Sequence, residues 1–348
     1  MMIYEIDEKL RELGCDNETI FKSFVKANAI INGDYETISC SISGGSDSDI
    51  ILDICTKFDF AKKIRYVWFD TGLEYQATKD HIKELEKKYG IEIERRKAIK
   101  PIPVVCKEYG LPFLNKFAAE QIERLQKHNF TWEDKPLEKL LETYPNCKSS
   151  IYWWCNAYKY MGDRPGNSSH NIGHNKWLKE FLILNPPTFK ISAECCSWAK
   201  KKVGKRYDKE HNVELKIVGV RKSEGGIRAS HYTSCFGEEK NLDSFRPIFW
   251  YRNVDKKEYE TLFGVTHSEC YTKYGFTRTG CVCCPFARDF DSELEAIEKY
   301  EPKLYKAANF IFGESYEYTR KYRAFCEKMD AVYGNYTAYM RSKAEKND

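Results

Sequence analysis

Thr37-Ile-Ser-Cys-Ser-Ile-Ser43 is a short β-rich run that passes directly into Gly44-Gly45-Ser46-Asp47-Ser48, and a helical stretch begins near Ser48. This layout suits phosphate binding. Glycines without a Cβ let the backbone turn sharply and approach an anion, while N–H groups at the helix start face outward with the positive end of the helix dipole. Ser43, Ser46 and Ser48 add hydroxyl donors, and Asp47 can hold a Mg²⁺ that bridges phosphate oxygens. The string is not a GxxxxGK[ST] loop, because that spacing and its lysine are absent. Glycines and serines also make ordinary polar turns, but six such residues between a strand and a helix favour the phosphate reading.

Outward from the loop, strand-like and helix-like runs alternate. Lys63–Asp70 (KIRYVWFD) reads as a second strand with a helix beginning near Thr78, Ile91–Arg95 as a third, Leu215–Arg221 (LKIVGVR) as a fourth and Ser244–Trp250 as a possible fifth. This alternation predicts an α/β fold with a mostly parallel, Rossmann-like sheet covered by helices on both faces. Residues 3–29 read as one or two amphipathic helices, with Asp16 and Asn17 as candidate caps and Ile20, Phe21, Phe24 and Val25 as an apolar stripe. The expected organisation is N-terminal helices over 1–30 and a nucleotide-binding domain over 31–260. That domain carries a helical insertion at about 100–205, and a cysteine-motif and helical region follows over 261–348.

In an open parallel sheet, ligands bind outside the carboxyl ends of the strands. The second strand ends at Asp70-Thr71-Gly72-Leu73-Glu74 and the fourth at Gly219-Val220-Arg221-Lys222-Ser223-Glu224, so both open onto the edge that carries the loop. Asp70 can serve metal or ribose, and Thr71 and Gly72 allow a nucleotide close to the backbone. Arg221 and Arg228 can grip phosphate or sulfate oxygens through forked hydrogen bonds. A surface salt bridge is the ordinary role of an arginine near a strand end; the shared edge shifts the balance toward a ligand.

The chain has 348 residues, 42% hydrophobic and 31% charged, which excludes wholesale disorder and fibrous repeats. Net charge is +4, from 56 Lys+Arg against 52 Asp+Glu, too balanced to announce a nucleic-acid binder and insufficient to exclude one. No apolar run reaches the ~18–20 residues that span a bilayer, and the N-terminus lacks a signal-peptide core, so a cytoplasmic protein without membrane contact is expected. The 14 cysteines cluster at Cys195-Cys196 and at Cys281, Cys283 and Cys284. Four thiolates make either a tetrahedral zinc site or a [4Fe–4S] cubane. The adjacent pair suits the separate iron corners of a cubane better than one zinc ion, with zinc and plain buried thiols as the alternatives.

Several weaker signals remain. Lys200–Arg206 is a basic run, either a solvated helix face or a phosphate contact. Tyr152, Trp153, Trp154, Tyr158 and Tyr160 suit core packing better than base stacking. His170 and His174 lack a third ligand and read as polar surface. Cys326 sits in an amphipathic helix, where packing is the simpler role.

The string Ser43–Ser48 resembles the PP-loop, SGGxDS, of the ATP-pyrophosphatase (adenine nucleotide alpha-hydrolase-like) superfamily, which cleaves ATP between its α and β phosphates. Several further stretches are similar to the phosphoadenosine-phosphosulfate (PAPS) reductase branch of that superfamily. They are Asp70-Thr71-Gly72, the Gly-x-Arg-x-x-Glu stretch at 219–224, Arg246–Trp250, Tyr274-Gly275-Phe276 and Gly280–Pro285. Together the matching stretches cover about residues 36–100 and 190–290. The resemblance implies that residues 43–48 cradle the pyrophosphate of ATP, with Asp47, Ser48, Arg221 and Arg228 as catalytic residues. It also implies that Cys195, Cys196, Cys281 and Cys284 ligate an iron–sulfur cluster. Lys200 falls where relatives carry a basic residue after the cysteine pair, though Ala199 replaces the neighbouring arginine; Cys283 would be left over.

Two departures matter. The chain has no Glu-Cys-Gly-x-His tail to deliver a nucleophilic cysteine, and its loop keeps the full ATP-cleaving form. Both favour ATP-driven substrate activation for sulfur transfer, with a sulfur donor or thioredoxin-like reductant as partner and tRNA or DNA as a possible acceptor. The rivals are a sulfonucleotide reductase that releases sulfite and a non-catalytic nucleotide- or nucleic-acid-binding protein with a structural cluster.

Overall fold

The computed structural model describes residues 1–159, 168, 170–225, 232–238, 242–336 and 339. The chain divides into two compact units. The first comprises Met1–Ile102, Ser197–Val282 and Glu293–Leu304, and the second Pro103–Cys196, Cys283–Ser292 and Tyr305–Asp348.

The first unit is built on a six-stranded sheet of β1 (Ile38–Ser41), β2 (Ile64–Asp70), β3 (Ile93–Lys97), β4 (Leu215–Ile217), β5 (Phe236–Gly237) and β6 (Asp243–Phe245), in the order β3-β2-β1-β4-β6-β5. Every pair is parallel except β5–β6. Its helices include α1 (Ile3–Glu12), α2 (Glu18–Ile31), α3 (Ser46–Phe58) and α4 (Gln76–Tyr89). The predicted α/β class and parallel sheet are therefore present.

Successive side chains on a strand point to opposite faces, and β2 uses both. Tyr66 and Trp68 join the main core with Phe24 of α2, Ile50 and Ile54 of α3, and Ile82 and Leu85 of α4. Val67 and Phe69 pack instead with Tyr207, from the helix Lys202–Glu210, and Val213. A strand buried on both faces needs apolar residues at consecutive positions, which explains why Tyr66–Phe69 show no polar alternation. Asn17 caps α2 by accepting hydrogen bonds from the Thr19 and Ile20 N–H groups.

β4 and β6 fall furthest short of the sequence pattern. β4 stops at Ile217, because Gly219 carries the backbone close over the start of α3, where a Cβ would stand 3.3 Å from Ile51 Cδ1 and 3.9 Å from Asp47 Cβ. β6 stops at Phe245, because Pro247 has no N–H for a ladder and the chain turns there, with Phe249 N–H donating to the Arg246 carbonyl.

The second unit is helical, with Lys116–Lys127, Leu137–Thr143, Lys148–Trp154, Leu178–Leu184 and most of the long helix Pro302–Tyr333 around a core that includes Phe113, Ile122, Leu125, Trp153, Trp154, Phe181 and Tyr322. Trp153 and Trp154 are fully buried there, Tyr158 and Cys326 pack partly buried against the same core, and Tyr160 lies outside the described residues. Among the described residues no helix is long and apolar enough to cross a membrane.

Candidate functional site at the sheet switch point

The strand order reverses direction at β1: the chain builds β2 and β3 on one side, then places β4 on the other. A crevice forms at the carboxyl ends of strands where such a reversal occurs, and the two chain segments that leave β1 and β4 there are Ser43–Ser48 and Gly219–Glu224.

Gly44 has φ +67°, and a Cβ on it would lie 2.8 Å from Thr78 Cγ2, so both conformation and space require glycine. Gly45 caps α3, which starts at Ser46. The loop is wound on its own hydroxyls: Ser43 N–H donates to Ser48 Oγ (3.1 Å) and Gly45 N–H to Ser43 Oγ (3.3 Å). Ser46 N–H donates to the hydroxyl of Tyr271 (3.1 Å), which in turn meets Thr279 Oγ1 at 3.0 Å.

Asp47 is the hub. Its Oδ2 accepts from Arg221 Nε at 2.9 Å and its Oδ1 lies 2.9 Å from Lys256 Nζ. Arg221 is fixed further by Ser223 Oγ (3.2 Å) and Asn253 Oδ1 (3.0 Å). Lys256 also donates to Ser46 Oγ and stands 3.8 Å from Glu260 Oε1. Burial alone would raise the Asp47 carboxyl, but hydrogen bonding with Glu224 and the charges and bonds of Lys256 and Arg221 outweigh it, and the group is held down at about 2. Asp47 is thus ionised at neutral pH, which is the donor chemistry a Mg²⁺ needs.

The neighbouring strand β2 delivers a second turn. Asp70 accepts from Gly72 N–H (2.9 Å) and Arg95 Nε (2.8 Å), while Thr71 Oγ1 donates to Glu74 Oε1 (2.6 Å). Burial pushes the Glu74 carboxyl up, against the opposing positive charge of Lys200 and the bonds from Thr71. Lys200 therefore belongs to the surroundings of this turn. Arg228 lies outside the described residues.

Cys195, Cys196 and Cys284 belong to the second unit and Cys281 to the first. Within the second unit Cys195 is buried and its thiol is pushed up, first by hydrogen bonding with Cys106, against a bond with Cys196 that lowers it, and then by burial and by the Cys284 sulfur. Cys106 carried no signal in the sequence. Thiols are suitable iron ligands, yet among the described residues no three His, Cys, Asp or Glu side chains are gathered as a metal shell.

Sequence reading missed Lys256, Tyr271 and a buried network behind the loop. Asp49, fully buried in α3, meets His267 Nδ1 at 2.8 Å and His81 Nε2 at 3.1 Å, and His267 Nε2 meets Glu260 Oε1 at 2.9 Å. Asn253, Lys256 and Glu260 recur at i, i+3 and i+7 on the helix Asn253–Phe263, a polar face that helical periodicity could have revealed. Burial lowers the His267 pKa, but the bonds to Asp49 and Glu260 win and raise it to about 9.

A raised histidine stabilises the fold fully below its unfolded value, 6.5, and the contribution is lost as pH rises through about 9. Denaturant titrations of the wild type should therefore show stability falling between those limits. His267→Gln should remove that slope, and an unchanged slope would contradict the assignment. The facing groups are Asp49, Glu260 and the Tyr271 ring, whose centroid is 5.7 Å from that of the imidazole.

Residues 37–145 match the model of the phosphoadenosine phosphosulfate reductase domain. Two uncharacterized proteins of Methanocaldococcus jannaschii are similar to the chain. One is 33% identical over 308 residues, covering 86% of this chain and 47% of the relative. The other is 24% identical over 309 residues, covering 86% and 54%. The chain thus spans about half the length of the curated relatives it matches. Similar solved structures include the phosphoadenylyl-sulfate reductase of Candida auris in a phosphate complex (14% identity, 81% of this chain and 96% of that one, TM-score 0.41). They also include the U34-tRNA thiolase of Methanococcus maripaludis with its [4Fe-4S] cluster (12% identity, 90% and 81%, TM-score 0.37). Residues 37–145, which hold the Ser43–Ser48 loop and the Asp70–Gly72 turn, are thus the part of this chain that is similar to the phosphoadenosine phosphosulfate reductase domain.

Proposed function

We propose that the chain binds ATP with its pyrophosphate portion in the Ser43–Ser48 loop and cleaves it to AMP and pyrophosphate, activating an acceptor for sulfur transfer. The observation that carries this reading is the unmodified SGGSDS loop at the sheet's switch point, with Asp47 and Arg221 joined across it at 2.9 Å. A nucleophile on the acceptor attacks the α phosphorus, the bond from that phosphorus to the bridging oxygen breaks, and its electron pair leaves with pyrophosphate. A sulfur nucleophile from the donor then attacks the adenylylated acceptor, and AMP leaves with the electron pair of its bond to the acceptor. Backbone N–H groups at the start of α3 and the Arg221 guanidinium would stabilise the charge that builds on the leaving group, and Arg228 is proposed for the same role. Ser48 keeps the loop wound through its bond from Ser43 N–H. Asp47 would hold Mg²⁺, which would neutralise phosphate charge when bound. Asp70, Thr71 and Gly72 would border the ribose, with Lys200 beside them. Cys195, Cys196, Cys281 and Cys284 are proposed as the ligand set of a [4Fe–4S] cluster, with zinc as the lesser candidate; the cluster would supply sulfur chemistry.

One experiment tests the reading: anaerobically reconstituted full-length protein is assayed for metal content and for products from α-labelled ATP with tRNA, DNA and small-molecule acceptors. The expected result is AMP and pyrophosphate, with about four irons per chain that are lost in Cys195→Ser. ADP as the product, or no nucleotide binding, overturns the ATP-cleavage proposal. Zinc instead of iron overturns the cluster. Sulfite released from a sulfonucleotide in the presence of thioredoxin would assign the chain to sulfate reduction instead.

A further inference from the structure

The SGGSDS loop has no lysine of its own, yet a lysine stands at its mouth. Lys256 comes from the first turns of the helix Asn253–Phe263, and its Nζ reaches Ser46 Oγ and Asp47 Oδ1, both in the first turn of α3. A cation beside a helix N-terminus is disfavoured by roughly 0.3–1 kcal/mol, so a lysine is stable there only while an anion holds it. In the nucleotide-free chain Asp47 serves as that anion. We propose, on the basis of the ATP-binding reading above, that Lys256 is the phosphate-binding cation of this site, stored on Asp47 and Ser46 and transferred to a phosphate oxygen beyond the α position when nucleotide enters.

Three features separate this role from a plain structural ion pair. First, the pair lies at the rim, since the side chains of Lys256 and Asp47 are each 16% exposed, enough for a ligand to reach them. A wholly buried pair could not exchange partners. Second, one helix turn manages both loop cations: Asn253 Oδ1 accepts from Arg221 while Lys256 extends to Asp47. The two cations flank one carboxylate, an arrangement that a multi-oxygen anion satisfies better than a single side chain. Third, Lys256 is tethered from behind by Glu260, which His267 holds at 2.9 Å. The lysine stem is flexible and its head is a point charge, so Nζ can swing from the carboxylate to an adjacent phosphate while Glu260 limits its range. The neighbouring Lys257 is exposed and makes none of these contacts, apart from its carbonyl accepting from Thr261 Oγ1.

The test is calorimetric binding of inorganic pyrophosphate, ATP and AMP, each with Mg²⁺, to full-length wild type, Lys256→Met, Lys256→Gln, Lys256→Arg and Lys257→Met. Loss of one charge-assisted bond predicts a 10- to 100-fold weaker affinity for pyrophosphate and ATP in Lys256→Met. Lys256→Gln, which keeps donors for Asp47 and Ser46 and so protects the fold, should lose nearly as much. Lys256→Arg should recover most of the affinity, AMP binding should change less than threefold, and Lys257→Met should match wild type. Pyrophosphate affinity within twofold of wild type in Lys256→Gln overturns the proposal while leaving ATP binding standing. Failure of the wild type to bind pyrophosphate or ATP instead overturns the ATP reading and this proposal with it.

Discussion

Asp47→Asn is expected to weaken binding of ATP with Mg²⁺ by about a hundredfold and to lower product formation by a further 10²–10³, the range seen when one stabiliser of developing charge is lost, here the Mg²⁺ that Asp47 would hold. The side chain is isosteric, so the effect isolates charge. Wild-type Asp47 offers one oxygen to Arg221 and the other to Lys256, both at 2.9 Å. Asparagine keeps one acceptor and turns an NH₂ toward the second cation, so one bond becomes a donor–donor clash. The loop then holds two cations with no carboxylate between them, and their repulsion opens the mouth where phosphate should be gripped. Breaking a fully buried pair costs about 3–5 kcal/mol; because both partners are partly exposed, about 1–3 kcal/mol of stability is expected here. The pH dependence has a definite sign. The wild-type carboxyl is depressed from 3.8 to about 2, so its contribution is present above 3.8 and lost as pH falls through about 2. Asp47→Asn should flatten that part of the acid limb. Unchanged ATP affinity with Mg²⁺ in a folded Asp47→Asn protein would remove Asp47 from the site.

What could be read in advance follows the range of the interactions. Ser43–Ser48 was legible because the turn, the caps and the helix start are all local, and glycine at 44 is demanded by backbone that contacts only its near surroundings and α4. The sheet was legible because β1 and β2 carry β-rich runs of ordinary length, and the topology rule then put Arg221 on the correct edge. The strand ends at 217 and 245 were not, since they depend on where Gly219 crosses α3 and on how the chain turns at Pro247. Lys256, Tyr271 and His267 were missed for a related reason. Each lies more than two hundred residues along the chain from its partner in the loop or in α3, and lysine and tyrosine are common on surfaces, so only packing singles them out. Asp49 shows the same limit from the other side. Inside the SGGSDSD run it looks like another helix N-terminal acid, yet it is fully buried against two histidines. The cysteine spacing pointed to Cys195 and Cys196 but gave no sign that Cys106 would be the largest influence on the Cys195 thiol.

That thiol neighbourhood includes a close backbone crossing, and Gly110→Ala is expected to be the most destabilising glycine-to-alanine change among the described residues. Gly110 follows the helix Ile102–Tyr109, which carries Cys106, and adopts φ +120°, a region that alanine scarcely enters. A Cβ there would stand 2.3 Å from the Lys190 carbonyl oxygen and 2.6 Å from its carbon. These are backbone atoms and cannot rotate aside. They are also held in place, because Leu111 N–H donates to the Lys190 carbonyl at 2.7 Å and Ser192 N–H donates to the Leu111 carbonyl at 2.9 Å, forming the parallel bridge Leu111–Ile191. Strain of about 1–3 kcal/mol and overpacking of similar size act together, so a loss of about 4 kcal/mol and a fall in Tm of about 10 °C are expected. Gly90→Ala is the control: φ is +62° and no atom lies within 4 Å, leaving about 1–2 kcal/mol of left-handed strain alone. Prying Leu111 from Ile191 also separates the segment with Cys106 from the one that leads to Cys195. Alkylation of those two buried thiols by a small reagent should therefore accelerate in Gly110→Ala and stay at the wild-type rate in Gly90→Ala. Equal melting temperatures and equal labelling in the two variants would show that the crossing carries no such load.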